Sequence, residues 1–116
     1  MNVYQQQALP SLCPLPDRVA TPVTVALVQM RWLHDPKLHR QQLEEGVARA
    51  ADAGAEIVFS PELTLSRYPA DRYPKGRADA LAEPLETGPT VAFLRALATR
   101  YDLHVHGSLF EATDAP

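Results

Sequence analysis

The sequence has little of several residue types, and each shortage excludes a class of protein. A single cysteine, Cys13, rules out a disulfide within the chain. That usage fits a reducing compartment, so we expect a cytoplasmic protein. No apolar run approaches the roughly 20 residues that a membrane-spanning helix needs. The net charge is only −3, so we expect neither nucleic acid nor a membrane as a partner.

The chain also lacks an internal repeat and a glycine-rich phosphate loop, and it contains only five glycines. What is present is ordinary for a globular protein: 46% of the residues are apolar and 22% are charged. A length of 116 residues suits one small domain or a piece of a larger one.

Residues 1–21 are dense in glutamine and proline and show no periodic apolar pattern, which predicts a flexible leader. They are not a convincing export signal, because the first seven residues carry no basic side chain and prolines interrupt the apolar stretch that follows. We therefore expect the folded part to comprise residues 22–116.

The first half of this folded part predicts a strand, a helix and a second strand. Residues 23–29 form a nearly continuous aliphatic run, which is typical of a strand buried on both faces. Asp35 and Pro36 suit the start of a helix, and Gly54 suits its left-handed end. Residues 57–59 then predict a short buried strand.

The second half predicts one more helix and one more strand after a long connection over residues 63–88. A short helix is expected near residues 78–82 in that connection. Gly88 and Pro89 open the next helix, whose predicted apolar stripe consists of Val91, Leu94, Leu97, Ala98 and Tyr101. Residues 103–110 form the third strand. Alternation of strands and helices predicts an α/β fold with a mainly parallel three-stranded sheet and two helices.

Three strands and two helices are few for an open sheet that is covered on both faces. The sequence also stops shortly after a strand, which would leave an edge of the sheet bare. Both observations predict a truncated domain. The alternative is a complete small protein whose sheet edge pairs with a partner chain.

Glu62 follows the second predicted strand directly. Ligands of open α/β sheets bind beyond the carboxyl ends of the strands, so Glu62 lies where a reacting group is expected, facing a hollow at the strand tips. The alternative interpretation of Glu62 is an ordinary solvated glutamate near the start of a short helix after a Ser60 cap.

Four ordered segments resemble the signatures of the nitrilase superfamily of carbon–nitrogen hydrolases over residues 23–111. They are residues 25–30 (VALVQM), residues 53–63 (AGAEIVFSPEL), residues 68–69 (YP) and residues 106–108 (HGS), the last followed by Glu111. Two positions depart from the family pattern: Arg67 replaces the glycine of a Gly-Tyr-Pro turn, and His106 replaces a small residue.

The resemblance implies that the chain is part of a four-layer αββα sandwich of the nitrilase type. It also implies a Glu-Lys-Cys catalytic set in which Glu62 is the general base, acting on a small-molecule amide or nitrile without metal or organic cofactor. Tyr68 falls on the family pattern near Glu62 and is the candidate substrate-binding residue. A full-length relative of this kind is expected to be a homo-oligomer.

The other two catalytic groups do not fall on the family positions. Cys13 precedes the first strand, and neither Lys37 nor Lys75 follows the third strand, where the family has its lysine and cysteine. We therefore expect the isolated chain to be inactive. Two alternatives stay open: a glutaminase domain that supplies ammonia to a synthetase, and a non-catalytic truncated module that pairs with a relative.

Two weaker patterns favour ordinary structural explanations. His104 and His106 share one face of the third strand, but a third zinc ligand at workable spacing is missing, so we expect packing or polar contacts and no metal site. The loop after Glu62 is basic and is expected to be solvated; its cations are Arg67, Arg72, Lys75 and Arg77.

Overall fold

The computed structural model describes residues 1–7, 9, 12, 21–69 and 79–113. In chain order its elements are β1 (Val25–Leu27), α1 (Pro36–Asp52), β2 (Ile57–Phe59), a 3-10 helix (Asp79–Leu81), α2 (Pro89–Tyr101) and β3 (His104–His106). This order confirms the predicted alternation of strands and helices. The short helix expected near residues 78–82 is present as the 3-10 helix.

The three strands form one parallel sheet in the order β1-β2-β3, so β2 is central. In the middle of the sheet Ala26, Val58 and Val105 lie in register. The regular strands are shorter than the apolar runs that predicted them, three residues each instead of seven or eight for β1 and β3. The fold class is nevertheless the predicted α/β arrangement.

Both helices cover the same face of the sheet. Side chains from α1, α2 and β2 meet in one core with Val28 and Leu103. Its buried members are Val28, Leu43, Val47, Ala50, Val58, Leu97 and Leu103. The two helices are also joined by an ion pair between Glu44 and Arg100.

The prediction that β1 is buried on both faces is wrong. Val25 is 57% exposed and Leu27 is 79% exposed, while only Ala26 between them packs against the core. Phe59 of β2 lies on the same open side of the sheet and is 37% exposed. The physical reason is that the described residues supply a layer for one face of the sheet only, whereas strand burial on both faces needs two.

The ends of α1 are those that the sequence predicts. The Asp35 carboxylate accepts hydrogen bonds from the backbone N–H groups of Lys37 and Leu38, at 2.8 and 3.2 Å. Pro36 occupies the first turn, where its missing N–H costs no helical hydrogen bond. Gly54 has a φ of +82°, which confirms the left-handed residue expected after this helix.

The start of α2 is also confirmed, with Gly88 as N-cap and Pro89 as first residue. Of its predicted stripe, Leu97 is buried and the other members are partly buried. Phe93, which the stripe did not include, packs against the core as well.

Part of the predicted leader contacts the folded region. The N-terminal ammonium lies 3.8 Å from the carboxylate of Glu45 on α1. The side-chain amide of Gln5 donates to the carbonyl of Ala53 at 3.4 Å. Cys13 and most of residues 8–20 lie outside the described residues. Within the described ranges, neither α1 nor α2 has the length and apolar character of a membrane-spanning helix.

Candidate functional site

Glu62 lies just beyond the carboxyl end of the central strand. After Phe59, the backbone N–H of Ser60 still donates to the carbonyl of His106 at 2.9 Å, so the chain leaves the sheet only at Pro61. The side chain of Glu62 is exposed. Glu62 therefore lies at the predicted position beyond the strand, and its side chain is accessible to solvent.

The residue after Glu62 has an unusual backbone conformation. Leu63 has a φ of +50°, in the left-handed region, and its side chain is only 6% exposed. For an L-residue other than glycine this conformation costs roughly 1–2 kcal/mol. Surrounding contacts must therefore hold it in place.

Three hydrogen bonds with Ser108 provide that support. The Ser108 hydroxyl accepts a hydrogen bond from the backbone N–H of Leu63 at 2.7 Å. The backbone N–H of Thr64 donates to the carbonyl of Ser108 at 3.0 Å, and the backbone N–H of Ser108 donates to the Thr64 hydroxyl at 3.1 Å. We call these three hydrogen bonds the Ser108–Thr64 bridge. It joins the turn after β2 to the segment after β3.

Thr64 is 1% exposed, and its polar groups are satisfied inside the turn. Its hydroxyl donates to the carbonyl of Pro61 at 3.2 Å, which closes the turn around Glu62. Its own carbonyl lies 2.9 Å from Nε2 of the buried His39 on α1. Three elements, namely α1 and the ends of β2 and β3, therefore meet at the residues that flank Glu62.

The partners of His39 determine its tautomer. The backbone N–H of Leu33 donates to Nδ1 at 3.4 Å, so Nδ1 is the acceptor of this ring. Nε2 then carries the proton that it donates to the carbonyl of Thr64. The ring of Trp32 lies against the His39 ring, with 4.2 Å between their centroids. His39 thus ties α1 to the turn after Glu62.

Gly107 allows β3 to approach this turn closely. A Cβ at position 107 would lie 2.7 Å from the hydroxyl oxygen of Thr64 and 2.5 Å from Cδ1 of Leu94. Any larger side chain would displace one of these groups. The glycine of the predicted His-Gly-Ser segment is therefore required by the packing between β3, α2 and the turn.

The other sequence candidates are either exposed or outside the described residues. Tyr68 is 48% exposed and lies six residues further along the connection. Lys37 is exposed in the first turn of α1. Lys75, like Arg72, Tyr73 and Arg77, falls outside the described residues.

His104 and His106 are both exposed on the open face of the sheet, as the strand period predicts. The His106 ring packs against Phe59, with 5.1 Å between ring centroids. Among the described residues, no group of three or more His, Cys, Asp or Glu side chains could hold a metal ion. Of the two histidines, His106 shows the expected packing, through its contact with Phe59.

A hollow in the described part of the chain lies away from Glu62. It is a groove of about 910 Å³ between the N-terminal residues, β1 and α1. Glu62 does not line this groove, and its side chain is exposed.

Sequence reasoning missed the residues that fix the turn. Thr64 and His39 were not singled out, although Thr64 follows the Pro-Glu-Leu segment directly. Their contacts span 25 to 44 residues, and only the meeting of α1, β2 and β3 reveals them. Ser108 was noted as part of the third-strand segment, without a partner.

Comparisons with known proteins identify the family. The sequence profile of the carbon-nitrogen hydrolases matches residues 24–116. A chloroplastic omega-amidase of Arabidopsis thaliana is 28% identical over 107 residues, which are 89% of this chain and 28% of that protein. A citrullinase of Francisella tularensis is 29% identical over 89 residues, or 77% of this chain and 31% of that protein.

The chain thus spans less than a third of the length of both curated relatives. No solved structure gives a significant match to it. The family profile covers most of the chain, including Glu62 and the Ser108–Thr64 bridge, and the parallel sheet with two helices fits a domain of this type. The protein therefore belongs to the carbon-nitrogen hydrolase family.

Proposed function

We propose that this protein contributes the general-base segment of an amidase that hydrolyses a small, non-peptide amide. The observation that carries the proposal is the position of Glu62: it follows the central strand of the sheet, inside the region that matches the family. One relative is named an amidase, which favours an amide over a nitrile as the substrate.

Glu62 suits a general base because its exposed carboxylate can accept a proton from a nucleophile that approaches from solvent. In the chemistry that the family resemblance implies, a cysteine thiolate attacks the amide carbon after Glu62 takes the thiol proton. Glu62 gives this proton to the departing amine or ammonia, and a thioester remains. Glu62 then takes a proton from water, which opens the thioester and releases the acid.

The nucleophile and the lysine of this mechanism are proposed to lie outside these 116 residues. Cys13 is the only cysteine of the sequence, and it precedes β1. The matched region is under a third of each relative, which leaves room for both groups in a longer polypeptide. In the complete protein we also propose a homo-oligomer.

The test uses the protein encoded by the full reading frame that contains residues 1–116, assayed for ammonia release from simple amides. Glu62→Gln removes the base while keeping the shape of the side chain, and we expect kcat/KM to fall by about 10² to 10⁴. Glu86→Gln, at another exposed glutamate, is the matched control and should leave turnover unchanged.

Unchanged turnover in Glu62→Gln would remove Glu62 from the mechanism. Release of ammonia from glutamine, with none from other amides or from nitriles, would instead favour a glutaminase that feeds a synthetase. The 116-residue chain alone is expected to release no ammonia from any of these substrates.

A further inference from the structure

The backbone around Glu62 is held in a conformation that its own sequence does not favour. Two residues other than glycine have a positive φ in the described part of the chain, Leu63 and Asp102. Asp102 ends α2, where a left-handed residue is common and where aspartate tolerates that conformation. Leu63 ends no helix, so its conformation has to be stabilised by contacts.

The contacts that stabilise Leu63 come mainly from Ser108, 45 residues away. Its hydroxyl accepts the 2.7 Å hydrogen bond from the N–H of Leu63, and its backbone pairs with both the N–H and the hydroxyl of Thr64. The Thr64 hydroxyl in turn donates to Pro61. The backbone is therefore fixed on both sides of Glu62. This also fixes the direction of the Cα–Cβ bond of Glu62.

The Glu62 carboxylate, by contrast, is exposed and accepts no hydrogen bond from the described residues. Among the described contacts, only the backbone therefore restrains Glu62, and it fixes the bond from Cα to Cβ. In general, a misplacement of about 1 Å at a reacting group costs on the order of 10² in rate. A turn that fixes the backbone on both sides of the base is a physical means of avoiding that loss.

We propose that Ser108 and Thr64 are positioning residues for Glu62: their bridge holds Leu63 in the left-handed conformation and thereby fixes the direction in which the Glu62 side chain leaves the backbone. This inference rests on the proposed role of Glu62 as general base. Both positioning residues act through the backbone of residues 61–64, and Gly107 permits the close approach that the bridge needs.

The experiment uses the full-reading-frame protein and measures kcat, KM and thermal stability for Ser108→Ala, Ser108→Thr, Thr64→Val and Thr99→Val. Ser108→Ala and Thr64→Val each remove a hydroxyl of the bridge, and we expect kcat to fall by about 10- to 100-fold with KM within about twofold. Ser108→Thr keeps the hydroxyl and is expected to recover most of the activity. Thr99→Val, on the exposed surface of α2, is the matched control.

A double variant separates positioning from general damage to the fold. If Ser108 acts only through Glu62, Ser108→Ala should add little to the loss already caused by Glu62→Gln, since two residues acting as a unit are not additive. Additive losses would overturn the inference, and so would full activity in both Ser108→Ala and Thr64→Val.

The proposed function and the positioning role would fail with different results. Failure of the proposed function appears as an active Glu62→Gln variant. Failure of the positioning role appears as an inactive Glu62→Gln variant beside fully active bridge variants. If Ser108→Ala does not fold, Thr64→Val and its double variant with Glu62→Gln carry the same test, and additivity there counts equally against the inference.

Discussion

The carboxylate of Glu83 binds Thr90 at the N-terminus of α2. One carboxylate oxygen accepts the backbone N–H of Thr90 at 2.7 Å, and the other accepts its hydroxyl at 2.5 Å. Gly88, the N-cap of this helix, has no side chain that could cap it. Glu83 therefore supplies, from outside the helix, both the acceptor and the negative charge that an N-terminus favours.

The backbone of Glu83 is anchored as well. Its N–H donates to the carbonyl of Phe110 at 2.9 Å, and its carbonyl accepts from the N–H of Ala112 at 3.0 Å. The pairing of Glu83 with Glu111 joins the end of the long connection to the segment after β3. Glu83 thus links α2 to that segment while being only 8% exposed.

Replacing Glu83 separates the contribution of its charge from that of its hydrogen bonds. Glu83→Gln keeps groups that can bind Thr90 and loses the charge, so we expect the free energy of unfolding to fall by about 0.5–2 kcal/mol. Glu83→Ala leaves two buried groups of Thr90 without a partner and should cost about 2–4 kcal/mol. Urea denaturation measures both. Equal stability of the two variants would show that the hydrogen bonds contribute nothing beyond the charge.

Gly88→Ala should destabilise the same cap by crowding. A Cβ at position 88 would lie 2.5 Å from Glu83 Oε2 and 2.6 Å from the carbonyl oxygen of Pro84. Because one of these atoms belongs to the backbone, we expect a cost of about 1–3 kcal/mol. The contrasting control is Gly54→Ala, which meets no atom within 4 Å and is expected to cost only about 1 kcal/mol through its positive φ. A melting temperature of Gly88→Ala equal to that of the wild type would contradict the prediction.

The neutral form of the His39 ring should carry its proton on Nε2, because Leu33 donates to Nδ1 and the carbonyl of Thr64 requires a donor. Long-range nitrogen–proton NMR correlations distinguish this tautomer, and the exposed His104 serves as the internal reference. His39→Phe removes both hydrogen bonds and is expected to cost about 1–3 kcal/mol. An Nδ1-protonated ring would contradict the assignment.

Removing the N-cap of α1 should change the free energy of unfolding by an amount typical of such caps. Asp35→Ala removes the acceptor of two backbone N–H groups and should lower the free energy of unfolding by about 0.5–2 kcal/mol. Asp52→Ala is the paired control, because an anion in the last turn of a helix is unfavourable and its removal should be neutral or slightly stabilising. Equal losses in the two variants would argue against a specific cap.

Local features of this protein were predictable because their causes lie within a few residues. Asp35 and Pro36 start α1, Gly54 ends it, and Gly88 with Pro89 starts α2, since capping and proline geometry depend on one turn of chain. The ordered apolar segments were enough for the α/β class. They were also enough to place Glu62 beyond the second strand.

The sequence by itself determined the order of the elements, the helix ends and the likeness to a family. Only the tertiary structure decided which face of β1 is covered, because that depends on where both helices pack. It alone revealed the left-handed Leu63, the bridge from Ser108 to Thr64 and the cap that Glu83 forms on α2. These contacts join parts of the chain that are distant in sequence. No local periodicity encodes them, and the parallel packing of three short strands brings them together.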